Sequence, residues 1–138
     1  MFKVNNFERG ERLLKDARDY EKEAEEAFKR GQWNRTIRRA QEAVELYLKG
    51  TMKIMNIEVP KIHDVGRLFV KEIKEKGIPL DEEIADGIIW ISSSLSERRA
   101  PAFYREEEYG EDEAKEALEG LRFISKVIEK VSEIMKNG

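Results

Sequence analysis

Apolar residues recur at spacings of three and four almost from one end of the chain to the other, the period that gives an α-helix one buried face. Phe7, Leu14, Ala17, Tyr20, Ala24, Ala27 and Phe28 share such a face in a first helix. Lys29 and Arg30 suit its last turn, where cations meet the negative helix end, and Gly31 is a natural stop. A second helix is predicted from about Trp33 to Met55, with Ile37, Ala40, Val44, Leu48, Thr51 and Met55 inward, and Pro60 ends the connection after it. A third starts near His63, carries Val65, Leu68, Phe69 and Ile73, and stops at Gly77 and Pro79. A fourth opens on Asp81, Glu82 and Glu83, acids at the positive helix end, and buries Ile84, Ile88, Ile91 and Leu95. Pro101 is expected to break the helix there, leaving Arg99 to Gly110 as the one longer irregular stretch. The last helix begins after Gly110 on Glu111, Asp112 and Glu113 and carries Ala114, Leu118, Leu121, Ile124, Ile128, Val131 and Met135.

No segment alternates in the manner of a strand. The connections near 31, 57–61 and 77–80 are short, so sequential helices should pack antiparallel. The expected fold is all-α, an up-and-down bundle of four to five helices, with residues 1–138 as one domain.

Composition narrows the function classes. The chain is 40% apolar and 40% charged, yet its net charge is only −3, so the two signs are interleaved. A general nucleic-acid coat or a binder of anionic membranes needs a basic surplus, which is absent. With no cysteine and one histidine there is no disulfide, no thiol nucleophile and no multi-histidine metal site, and neither metal nor cofactor is expected. No apolar run comes after Met1-Phe2-Lys3-Val4, and no window reaches the length of a membrane span, so the expectation is a cytoplasmic protein without a leader. The lack of cysteine and the wealth of Glu, Lys and Arg fit a thermophile.

Within that charge, a few positions stand out. Arg98 and Arg99, with Phe103 and Tyr104 just beyond them, could hold a phosphate or a partner carboxylate in guanidinium forks while the aromatics stack on a base. The plain alternative is a pair of cations at a helix C-terminus. Arg35, Arg38 and Arg39 fall on one exposed face of the second helix and make a candidate anion footprint, or a solvated face paired with Glu42 and Glu45. His63 is either a base reaching Arg99 from another helix or a structural residue at a helix start. Ser92, Ser93 and Ser94 are small enough to let another helix or a second subunit approach closely.

Three motifs carry a family resemblance. Gly31-Gln32-Trp33 leads into Ala40-Gln41-Glu42-Ala43-Val44-Glu45 and Leu48-Lys49. His63-Asp64-Val65 opens the third helix, and Arg98-Arg99-Ala100-Pro101-Ala102-Phe103-Tyr104 comes after the fourth. In this order they resemble the HEPN family of small helical domains. The resemblance implies a helical bundle that works beside a small nucleotidyltransferase, in toxin–antitoxin or related modules, and in many relatives a ribonuclease carrying arginine, four to six residues, then histidine. Here the arginine is Arg99 or Arg98, and Phe103 or Tyr104 stands where the histidine belongs. RNA cleavage through the 2′-hydroxyl needs a base near neutral pH, and a phenol with a pKa of about 10 is a poor one.

The leading reading is therefore an interaction module, homodimeric, that binds a nucleotidyltransferase partner, a nucleotide or RNA phosphate through Arg98, Arg99, Tyr104, Arg35, Arg38 and Arg39. Second is a metal-independent ribonuclease toxin using Arg99 with Tyr104 or His63. Third is a structural helical adaptor.

Overall fold

The structure, a computed structural model, describes residues 5–137. Those residues form five helices and no strand: α1 (Asn6–Lys29), α2 (Trp33–Ile54), α3 (Gly66–Glu75), α4 (Glu82–Phe103) and α5 (Glu111–Asn137). Asn5 caps α1 by accepting a 2.8 Å bond from the Glu8 amide. Gly31, at φ +70°, ends it: the Gln32 amide reaches back to the Ala27 carbonyl at 2.9 Å and the Gly31 amide to Phe28 at 3.0 Å. That is the reverse turn that uses up a helix's last carbonyls.

The four long helices run up, down, up and down. Helix α2 is the hub and packs against all the others. Its C-terminal half crosses the start of α1 at Gly10 and Gly50. A Cβ on Gly10 would stand 2.7 Å from the Gly50 carbonyl oxygen, so the two backbones touch there and only glycine fits. The beginning of α2 lies against the end of α4, where the Asn34 side chain reaches the Ala102 carbonyl, and α5 starts at the same end. The core along this axis is Ile37, Leu48, Met52, Phe69, Ile73, Ile88, Leu121 and Ile124, each essentially without exposed surface.

Helix α3 departs from the expected pattern. It has only 10 residues, starts at Gly66 rather than near His63, and packs mainly on α4. Gly66 sits so close to α4 that a Cβ there would lie 2.8 Å from the Ser92 Cβ. The Ser92 hydroxyl donates to Asp64 at 2.8 Å and accepts from the Gly66 amide at 3.2 Å. The small side chain expected to admit a close neighbour thus admits α3 of the same chain. None of the helices described is long and apolar enough to cross a membrane.

Candidate functional site

The irregular stretch expected from Arg99 is shorter than the sequence suggested. Helix α4 runs straight through Pro101 to Phe103, so Arg98 and Arg99 are helical. Proline removes one donor, the one that would reach the Glu97 carbonyl, but its own fixed φ suits a helix, and a residue that near the end breaks only one bond of the ladder. The end is then secured from outside. Asn34 is 8% exposed and donates both amide hydrogens, to the Ala102 carbonyl at 3.2 Å and the Glu107 carbonyl at 2.8 Å. Its oxygen accepts from the Tyr109 amide at 2.9 Å. One buried side chain at the start of α2 therefore fixes the end of α4, the loop and the approach to α5. Arg105 takes a left-handed φ of 56° in that loop, which lets the Glu106 amide bond the Pro101 carbonyl at 3.0 Å.

This clamp sets two arginine-bearing helices side by side. Arg38, Arg39, Glu42, Arg99 and Phe103 line a cleft of about 200 Å³ between α2 and α4. The Arg38 guanidinium lies over the Phe103 ring, 4.4 Å from its centre. Tyr104 meets Phe103 edge-on at 4.9 Å, and both rings are largely exposed, Phe103 at 52% and Tyr104 at 70%. Arg39 is satisfied within the protein: it bonds Glu42 at 2.7 Å, approaches Glu23 at 3.6 Å and covers the Tyr20 ring. Among the described residues, neither Arg38 nor Arg99 forms an ion pair. Burial, with Arg39, Arg35 and Arg99 close by, holds the Arg38 guanidinium below its ordinary range, against the pull of Glu42. The cleft therefore holds two cations that lack an anion.

The other sequence candidates fall elsewhere. Arg98, one residue from Arg99 and so about 100° around the helix, turns onto α5, with Glu116 at 3.6 Å and the Tyr109 ring centre at 5.9 Å. Arg35, Arg38 and Arg39 do not form one exposed face. Arg35 is exposed, while Arg38 leans on α4 and Arg39 on α1, both half-buried. Tyr104 stands at the mouth of the cleft beside Phe103. His63 does not line it. Its Nδ1 lies 2.8 Å from Glu45, about one turn further along α2, where Lys49 and Gln41 also bond the same carboxylate. Burial alone would raise Glu45, yet the bonds from Lys49, Gln41 and His63 hold it below the usual carboxylate range. Among the described residues, no group of three or more His, Cys, Asp or Glu could hold a metal ion.

Nothing in the sequence singles out Asn34. Its partners lie 68 to 75 residues away, so no local spacing announces it. Its burial just past a helix start is the signal that matters, and only the packed structure supplies that.

Fold and cleft together define a class: a small helical bundle with an arginine-lined, aromatic-rimmed notch where its second and fourth helices meet. The chain belongs to the HEPN domain family, which matches residues 10–134. No curated protein and no solved structure matches the chain.

Proposed function

We propose that the protein is a HEPN interaction module that binds the phosphate of a nucleotide or an RNA in the Arg38–Arg99 cleft. The observation that carries this reading is the pair of guanidiniums without acid partners beside the exposed rings of Phe103 and Tyr104. Guanidinium forks match phosphate oxygens, and an exposed ring offers a base a stacking surface. Ribonuclease chemistry is the weaker reading, because the cleft holds no imidazole and His63 is engaged by Glu45. The module acts as a homodimer and is one half of a pair with a nucleotidyltransferase, of the toxin–antitoxin kind.

The homodimer has a physical basis in α4. From Gly87 to Ser96 this helix carries no charge, in a chain that is 40% charged, and Trp90 on its outer side is 58% exposed. Such a surface favours a covering partner. Trp33, by contrast, is half-buried against Phe28, with ring centres 5.3 Å apart.

Titration with phosphate-bearing probes tests the binding, and incubation with total and structured RNA, with and without chelator, tests the chemistry. Saturable binding with RNA left intact is the expected result. Robust cleavage abolished by Arg99→Ala or Tyr104→Phe would install the ribonuclease reading instead. For the dimer, light scattering of a Trp90→Glu variant should show dissociation. A monomeric parent protein at high micromolar concentration would remove that part.

A further inference from the structure

We infer that the cleft selects a phosphate monoester in its dianionic form, on a mononucleotide or at the end of an RNA, over the monoanionic diester of an RNA interior. This rests on the phosphate-binding reading above and specifies its ligand.

The charge count of the cleft leads there. Of the four charged side chains that line it, Arg39 and Glu42 neutralise each other across 2.7 Å. Arg38 and Arg99 remain, so two positive charges face one small space of about 200 Å³. A single negative charge leaves one of them uncompensated, next to its own kind. Burial first, and then Arg39, lowers the Arg38 guanidinium below its ordinary range, and Arg99 adds to this only as the last of the contributors. A diester carries one charge, whereas a terminal phosphate carries about −1.5 to −2 at neutral pH.

Geometry points the same way. A terminal phosphate presents three free oxygens and a diester two, so the terminal group offers two guanidinium forks an additional charged acceptor. Arg38 is oriented by Phe103 beneath it, so it loses less freedom on binding than a solvated arginine would. The cleft is small, and Phe103 forms one of its walls. A phosphate at a chain end can enter such a notch. One flanked by nucleotides on both sides must bring the second strand direction past Phe103 and Tyr104. Those rings then have room for one base, the one next to the phosphate.

The test is a calorimetric titration of the full chain at pH 7.5 with adenosine 5′-monophosphate, 3′,5′-cyclic AMP and adenosine. A second set uses one short unstructured RNA with a 5′-phosphate or a 5′-hydroxyl. Cyclic AMP keeps the base, the ribose and a phosphate but lacks one charge and one free oxygen. The open monophosphate should bind about tenfold or more tightly than the cyclic form, because the extra charge sits against half-buried cations. Phosphorylated RNA should exceed hydroxyl RNA by a similar ratio. RNA tighter than the mononucleotide would assign the source to RNA ends, and the reverse to free nucleotide.

Arg38→Gln and Arg99→Gln should each bring both ratios towards one. Circular dichroism checks that these variants fold, and Arg99→Lys, which keeps the charge and loses the fork, should leave a partial preference. Equal affinity for open and cyclic forms, with Arg99→Gln weakening both, overturns this inference and leaves the phosphate reading intact. A preference that survives both glutamine variants also overturns it, since the discrimination then lies elsewhere. No binding by any phosphate-bearing probe removes the reading beneath it.

Discussion

Arg98 and Arg99 are neighbours in sequence and occupy opposite situations. Arg98 lies in the seam between α4 and α5, where Glu116 and the Tyr109 ring receive it. Arg99 lies in the cleft between α4 and α2, where the nearest cation is another arginine and the one carboxylate is already bound to Arg39. The difference is the company each keeps. In the seam, charge is used to hold two helices together, and an exposed pair of that kind contributes about 0–1 kcal/mol. In the cleft, charge is held in place over the Phe103 ring without an acid partner and is available to a ligand.

The largest expected effect comes from removing the side chain that keeps the two situations apart. Asn34→Ala deletes three hydrogen bonds and leaves the Ala102 and Glu107 carbonyls short of donors. It should lower stability by about 2–3 kcal/mol in urea unfolding. The Tyr109 amide should lose its exchange protection, and phosphate binding should weaken although Asn34 touches no ligand. Asn34→Asp keeps the acceptor for the Tyr109 amide but sets a carboxylate against the Ala102 and Glu107 carbonyl oxygens, so it should lose at least as much stability as alanine. Unchanged protection at Tyr109 would show that the loop is held by something else.

Next in size is the direct contrast. Arg99→Ala should weaken binding of a phosphate-bearing probe roughly tenfold to a hundredfold, the range expected for a lost charged hydrogen bond of about 1.5–3 kcal/mol. Arg98→Ala should change it by less than about threefold and cost stability by no more than about 1 kcal/mol. Equal losses from the two would erase the distinction between seam and cleft.

A smaller effect concerns the same α2 face about one turn beyond the cleft, where a half-buried acid is the charge held in place. Glu45 is held below its ordinary range, so its ionised form stabilises the fold above the carboxylate range. That contribution is lost as pH falls through the lowered value. Glu45→Gln should therefore be less stable than the parent at neutral pH, and its stability should fall less steeply on acidification. Parallel pH profiles for the two proteins would contradict the network of Gln41, Lys49 and His63 around that carboxylate.

The smallest effect is at Arg105, whose left-handed φ of 56° closes the turn after α4. Arg105→Gly should raise the thermal midpoint slightly, by relief of about 1 kcal/mol, and leave binding unchanged.

These contrasts mark how far the sequence could be read. Helix order, the stop at Gly31, the acidic opening of α5 and most of the inward residues are set by period, caps and charge, because those signals are local. Arg38 and Arg99 were also legible as cations worth notice. What separates Arg99 from Arg98 was not, since one step along a helix turns a side chain by about 100° and only packing fixes where the two directions lead. Pro101 misled because proline is read as a helix breaker, while its distance from the helix end decides how much is lost. The role of Ser92 was half legible: a small residue predicts a close neighbour, but α3 of the same chain could not be told from a second subunit.

The most direct measurement tracks the arginine Nε–Hε resonances in a proton–nitrogen correlation spectrum while adenosine 5′-monophosphate is added. The Arg38 and Arg99 signals should shift together and saturate at one concentration, with Arg98 and Arg39 nearly still. Movement of Arg98 in place of Arg99, or small unsaturated drifts of every arginine alike, would contradict a cleft built to receive phosphate.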